Sequence, residues 1–328
     1  MSDATGPALV VTRYGGIDVL AVQDRRAPEP AAGEVLVEVA AAGVNFIDVY
    51  QREGVYPTSP PFVSGSEGAG TVVSAGEGVE GLHPGDRVAW PQSLGSAARF
   101  VAVAESAVVL VPEGVDLEVA AAVMLQGLTA HYLTTSTYAV QPGDVALVHA
   151  AAGGVGQLLV QMVRSRGGSV VATAGGARKG ETALALGAEH VIDYRAVDDL
   201  AGEVRRVTGG RGVDVAYDGV GKDTFDASLA SLRPRGTLAL FGAASGQVPP
   251  LDIQRLNRGG SLFLTRPTLG HHIATREELE WRSGEVLGAV ADGSLQVAVG
   301  GRYPLVEAAA AYADLEGRRT EGKLLLIP

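Results

Sequence analysis

The stretch "VHAAAGGVG", residues 148–156, lies between the apolar run "DVALV" and the segment "QLLVQMVRSR". A strand, a glycine turn and a helix in that order form an anion site. The first N–H groups of a helix have no internal partner, and the helix dipole favours negative charge there. Gly153, Gly154 and Gly156, with Val155 among them, leave the main chain open to a pyrophosphate. Ala151 stands where the first glycine of a G-x-G-x-x-G pattern would be. The chemistry implied is dinucleotide binding.

A second stretch, "ATAGGARKG", follows the next apolar run and contains Gly175. A site selective for NADH usually carries an acidic residue here, bonded to the ribose hydroxyls. No Asp or Glu occurs between Ser169 and Gly180, whereas Arg178 and Lys179 do. Small residues leave room for a 2′-phosphate, and two cations offer it charge-assisted bonds. The expected cofactor is NADPH.

These residues need elements to hold them. From Asp144 onward, apolar strand-like runs alternate with helical segments: "DVALVHA", "SVVATA", "HVIDY", "VDVAYDGV", "GTLALFG" and "SLFLTRP" are the strands. The alternation predicts a doubly wound parallel sheet with its crevice at the carboxyl ends of the strands. The helix "KDTFDASLASLRP" is expected to stop at Pro234. The first third reads as short strands, with no long helical period before about Asp116; "DLEVAAAVMLQGLTAHYLTTSTYAV" then reads as helix. The tail predicts helices in "REELEWRSGEVLGAVADG" and "YPLVEAAAAYADLEGR", then a strand in "KLLLIP".

Bulk properties limit the alternatives. A chain of 328 residues predicts two domains. It is 46% hydrophobic and 19% charged, as globular proteins are, and no apolar run is long enough to span a bilayer. A net charge of −11 argues against a nucleic-acid surface. The N-terminal "MSDATGPALVVTRYGG" lacks the pattern of a signal peptide, so a cytoplasmic location is expected. With no cysteine, disulfides, thiolate metal sites and a thiol nucleophile are excluded.

The motifs "AAGVNFIDVYQREGVYP", "GSEGAG", "GDRVAW", "QGLTAHYL", "VHAAAGGVGQ", "YDGVG", "LFGAASG" and "LTRPTL" occur in this order. Nearly the whole chain resembles the zinc-free, zeta-crystallin-like quinone oxidoreductases, a branch of the medium-chain dehydrogenase/reductases, and most of all the bacterial NADPH:quinone reductases. The resemblance implies a GroES-like β-rich catalytic domain, expected at residues 1–126 and 268–328, and a Rossmann domain at residues 127–267. It implies NADPH in the cleft between the two and a homodimer joined through the Rossmann sheets. It places Gly153, Gly154 and Val155 under the pyrophosphate, and Lys179 and Tyr194 at the 2′-phosphate ribose. It places Thr129 and Asn45 at the nicotinamide end, Phe241 and Arg266 beside the cofactor, and Arg318 reaching back to it. Gln126 departs from the pattern, since bacterial relatives carry Lys before "GLT".

Zinc-dependent relatives place a Cys and a His where this chain has Asn45 and Ser66; Glu67 alone is not a zinc site. His271 and His272 are adjacent, which suits surface or rim residues better than ligands. The metal expectation is therefore none. An alcohol dehydrogenase needs a Lewis acid. A quinone needs it least, because the added electrons enter an aromatic product. Asn45 is expected to hydrogen-bond near the nicotinamide or the acceptor oxygen. Tyr50 or Tyr56 is expected to donate a hydrogen bond, or a proton, to a developing oxyanion, or else to wall the cleft. The expected function is NADPH-dependent quinone reduction. The alternatives are reduction of enones or enals, and a non-enzymatic NADPH-binding protein.

Overall fold

The structure is a computed structural model that describes residues 4–328. The opening "MSD" of the N-terminal segment lies outside the described residues. One compact unit runs to Leu128 and resumes from Ile273 to Pro328; the other is Thr129–His272. The first junction falls inside the helix Leu117–Tyr132.

The second unit holds a six-stranded sheet in the order His190–Asp193, Ser169–Ala174, Val145–Val148, Val213–Asp218, Leu232–Leu240, Phe263–Thr265. Every neighbouring pair is parallel. In chain order this is 3-2-1-4-5-6, the doubly wound arrangement of dinucleotide-binding sheets. Continuous apolar runs suit these strands because both faces are covered by helices; all of Val213–Asp218 is buried. Leu147, Val171, Ile192, Ala216 and Leu238 share one core. The direction of winding reverses beside Val145–Val148. There the turns after Val148 and after Asp218 form the carboxyl-end crevice.

The first unit is β-rich. Its larger sheet runs Val299–Pro304, Lys323–Ile327, Glu34–Gly43, Glu67–Ala75, Arg87–Trp90, Val109–Leu110, and Phe100–Ala104 also pairs with Glu34–Gly43. A smaller sheet joins Leu20–Arg26, Thr5–Val11 and Phe62–Val63. Val35, Val37, Val88, Trp90, Leu324 and Leu326 lie in the core.

The first third contains a short helix, Phe46–Arg52, in which the Asp48 side chain accepts the Asn45 backbone N–H at 2.9 Å. Three local expectations need correction. The helix at Phe225 ends at Ser231, and Pro234 lies within the strand Leu232–Leu240, where its missing donor falls in an exposed stretch. "YP" of "YPLVEAAAAYADLEGR" ends the strand Val299–Pro304, and the helix starts at Ala308. The helical run after Tyr132 widens into a π-turn at Leu133–Thr137. Thr134 and Thr135 donate to the carbonyls of Ala130 and His131 at 2.8 and 2.7 Å, which bends helices.

Candidate functional site

In the second unit, Gly153 caps the helix Gly154–Ser165 in an extended conformation. The amides of Gly154, Val155 and Gly156 stand in the first turn, where no carbonyl of the helix itself lies four residues back. A Cβ on Gly156 would come within 2.3 Å of the Ala150 carbonyl oxygen, so glycine lets this helix start lie directly on the strand end. Ala150 itself has a φ of 49°, which turns the chain sharply there. Backbone donors and a helix N-terminus together suit a pyrophosphate.

The neighbouring turn gathers the second set of residues. Gly176, at φ 91°, caps the helix Ala177–Ala185, which carries Arg178 and Lys179. A Cβ on Gly175 would meet the Tyr194 hydroxyl at 2.7 Å and Arg195 Nε at 3.0 Å. Gly175, Tyr194 and Arg195 therefore lie together, with the Arg195 guanidinium 5.9 Å from the Tyr194 ring centre. Asp193 accepts the Arg195 backbone N–H at 3.0 Å. This corner can hold a phosphate dianion through cations and a phenol. Arg195 was missed in the sequence, although "YR" directly after a strand was its signal.

His149, left without a role by its sequence context, is buried among three strand ends. Its ring bonds Thr173 at 3.0 Å and Ser228 at 2.8 Å, and Ser228 donates to Asp218 at 2.7 Å. Burial pushes its pKa down, against the raising pull of Asp218. Asp218 also accepts the N–H groups of Val220 and Gly221 at 2.9 and 3.0 Å, which shapes the "DGVG" turn. Phe241 lies over that turn, since a Cβ on Gly219 would come within 2.8 Å of its ring. Thr129 is buried, and Arg266 is exposed just after the edge strand. His272 stacks on Tyr132 with centroids 4.2 Å apart.

In the first unit, Asn45, Asp48, Ser66, Glu67 and Lys323 form one buried polar cluster. The Asn45 Nδ2 group donates to Glu67 Oε1 at 3.0 Å and to the Gly43 carbonyl at 3.2 Å. Lys323 Nζ donates to Asn45 Oδ1 at 2.7 Å and also pairs with Glu67 Oε1. The Leu125 N–H donates to Glu67 Oε2 at 2.6 Å. Both amide hydrogens of Asn45 are directed at acceptors within the protein.

Asp48 accepts from Ser66 Oγ at 2.8 Å, from the Asn45 N–H and from Tyr312 at 3.2 Å. Burial raises its pKa to about 6, against the lowering pull of Ser66, Asn45 and Lys323. This donor set does not fit zinc: an amide, a hydroxyl and a carboxylate paired with an ammonium are not a zinc shell. Among the described residues no three His, Asp or Glu side chains are grouped as a metal set.

Tyr50 and Tyr56 meet edge to face, with centroids 5.4 Å apart. Both are half-buried, and the Tyr56 N–H donates to the Tyr50 carbonyl at 3.1 Å. Gln126 is half-buried on the long helix. Arg318 is exposed, at a φ of 54°, in the turn after the helix Ala308–Glu316.

Residues 31–142 match the family described as alcohol dehydrogenase GroES-like domain, and residues 154–281 match the family described as zinc-binding dehydrogenase. A quinone oxidoreductase of Salmonella typhimurium is 43% identical over 320 residues, 96% of this chain and 98% of that protein. A 2-haloacrylate reductase of Burkholderia sp is 40% identical over 329 residues, 98% of each chain. Among solved structures, a mycobacterial protein complexed with NADPH is 50% identical, with a TM-score of 0.95 over 98% of this chain and all of that one. The chain belongs to the quinone oxidoreductases of the medium-chain dehydrogenase/reductase family.

Proposed function

We propose that the protein is an NADPH-dependent quinone reductase that works without zinc. The observation that carries this reading is the corner formed by Gly175, Tyr194 and Arg195 at the start of the helix that carries Lys179, where the second strand ends in no carboxylate. The mycobacterial relative complexed with NADPH and the Salmonella quinone oxidoreductase support it.

NADPH, when bound, supplies a hydride. The amides of Gly154 and Val155 would hold the pyrophosphate, and Lys179, Tyr194 and Arg195 would hold the 2′-phosphate. Phe241 and Arg266 would line the cofactor, Thr129 would orient its nicotinamide end, and Arg318 would bind it as well. Asn45 acts there as an acceptor through Oδ1. A hydride reaching a quinone leaves negative charge on oxygen. The Tyr50 hydroxyl, braced by Tyr56, donates a hydrogen bond to that oxygen and holds a proton for it. The protein acts as a homodimer joined through the six-stranded sheet, whose edge strand Phe263–Thr265 leaves Phe263 62% exposed.

A second reading, reduction of an activated carbon–carbon double bond, is favoured by the 2-haloacrylate reductase likeness. Steady-state NADPH oxidation with benzoquinone, phenanthrenequinone and a simple enone separates the two. Quinone turnover is expected; enone turnover without quinone turnover would overturn the first reading in favour of the second.

A further inference from the structure

The first unit buries an ammonium for which the proposed chemistry assigns no task. Lys323 is 1% exposed and Glu67 is fully buried. They come from adjacent parts of one sheet: Leu325 pairs with Gly43, and Gly43 pairs with Glu67. Glycine at position 43 is what makes room. A Cβ there would lie within 2.6 Å of Lys323 Cε and would also collide with the Glu67 carboxylate.

A buried ion pair of this kind is a poor source of stability, because desolvating two charges offsets their attraction. What it does supply is orientation. The Asn45 amide has one arrangement that satisfies its neighbours. Oδ1 must face the Lys323 ammonium, while Nδ2 must face the Glu67 carboxylate and the Gly43 carbonyl. The ammonium also cancels the charge of Glu67. A bare carboxylate beside Asn45 would oppose the negative charge that a reduced acceptor develops.

We propose that Lys323 is a positioning residue for the reduction, orienting the Asn45 amide and neutralising Glu67. This rests on the quinone-reductase reading above. Lys323 does not touch the acceptor; it acts through Asn45 and Glu67. The other titratable groups around Glu67 and Asn45 are Asp48, on the helix Phe46–Arg52, and Tyr312, on the helix Ala308–Glu316, with Arg52 paired to Glu316 at 2.8 Å.

The test uses the full chain and three proteins: wild type, Lys323→Met, and the double variant Lys323→Met/Glu67→Gln. For Lys323→Met, kcat with benzoquinone is expected to fall about 100-fold, as displacement of a positioned group does. KM for quinone and the Kd for NADPH should stay within about twofold of wild type, as for a group that affects only the chemical step. In this variant Glu67 keeps only its hydrogen bonds from Asn45 and the Leu125 N–H, and a proton is the one remaining way to neutralise it. Its kcat is therefore expected to rise as the pH is lowered. The double variant keeps Asp48 but lacks both charges. It should recover part of the lost kcat at neutral pH and lose the extra pH dependence.

A merely structural Lys323 would lower the melting temperature and the amount of active protein, without changing the shape of the pH profile. An unchanged kcat in Lys323→Met would overturn the proposal, as would a pH profile parallel to wild type. If wild type itself oxidises NADPH with no quinone, the quinone reading fails instead. The same comparison is then run with the enone, and an unchanged kcat there overturns the Lys323 assignment separately.

Discussion

Lys179 and Arg178 carry a prediction about cofactor choice. Replacing both by Ala removes the charge-assisted bond of Lys179 to the 2′-phosphate and the adjacent positive charge of Arg178, which should cost roughly 2–4 kcal/mol of NADPH binding. NADH has no 2′-phosphate, and its affinity should hardly move. Fluorescence titration of both cofactors measures this, and equal weakening would remove the assignment. Asp48 carries a second prediction. Its carboxyl binds a proton up to about pH 6 in the folded protein, against an ordinary value of 3.8. Between those values the folded state holds a proton that the unfolded chain has released. Stability therefore falls as the pH rises through this window, by up to about 3 kcal/mol. Urea unfolding at a series of pH values should show that slope in wild type and a flatter one in Asp48→Asn. Arg195 had a signal in "YR" after a strand, whereas Lys323 could not be read from the sequence. Lys323 looks like the polar start of a strand, and its partners, Asn45 and Glu67, lie far away along the chain.

At the scale of elements, the alternating second unit was legible because strands covered on both faces need unbroken apolar runs. "VDVAYD" is such a run, and every residue of it is buried. The helix Phe46–Arg52 was not legible, because seven residues hardly show a period. Its readable mark was Asn45 followed three residues later by Asp48. The strand Val299–Pro304, "VGGRYP", has two glycines and no apolar alternation; only its parallel partner Lys323–Ile327 defines it. The glycine turn was legible from composition, and its packing gives a test. Gly156→Val should destabilise the protein by about 1–3 kcal/mol, since the added atoms press on the Ala150 carbonyl. Thermal melting measures that loss, and NADPH affinity should fall with it because the helix start is displaced. A variant that melts like wild type would show that the contact relaxes freely.

For the whole molecule, the open question on the surface is the edge of the six-stranded sheet. An edge strand with unpaired N–H and C=O groups and an exposed Phe263 is a template for pairing with a second copy. Phe263→Lys should shift the protein from dimer to monomer in light scattering and leave NADPH affinity within about twofold, because Lys on an edge blocks pairing without touching the glycine turn. A dimer that persists in this variant would place the contact elsewhere. The charge of −11 keeps the rest of the surface self-repelling.

The pairing of Leu325 with Gly43 has a consequence for biosynthesis. A ribosome makes the chain from the N-terminus, and domains fold as units while they emerge. All six strands of the second unit are made before the strand that completes the larger sheet of the first. The second unit, inserted in the sequence of the first, can therefore fold while the first still waits for the strand Lys323–Ile327. Until then Asn45 and Glu67 have no ammonium to receive. The centre of the proposed chemistry is assembled only after the second unit has been made, by a strand that joins a sheet begun before it.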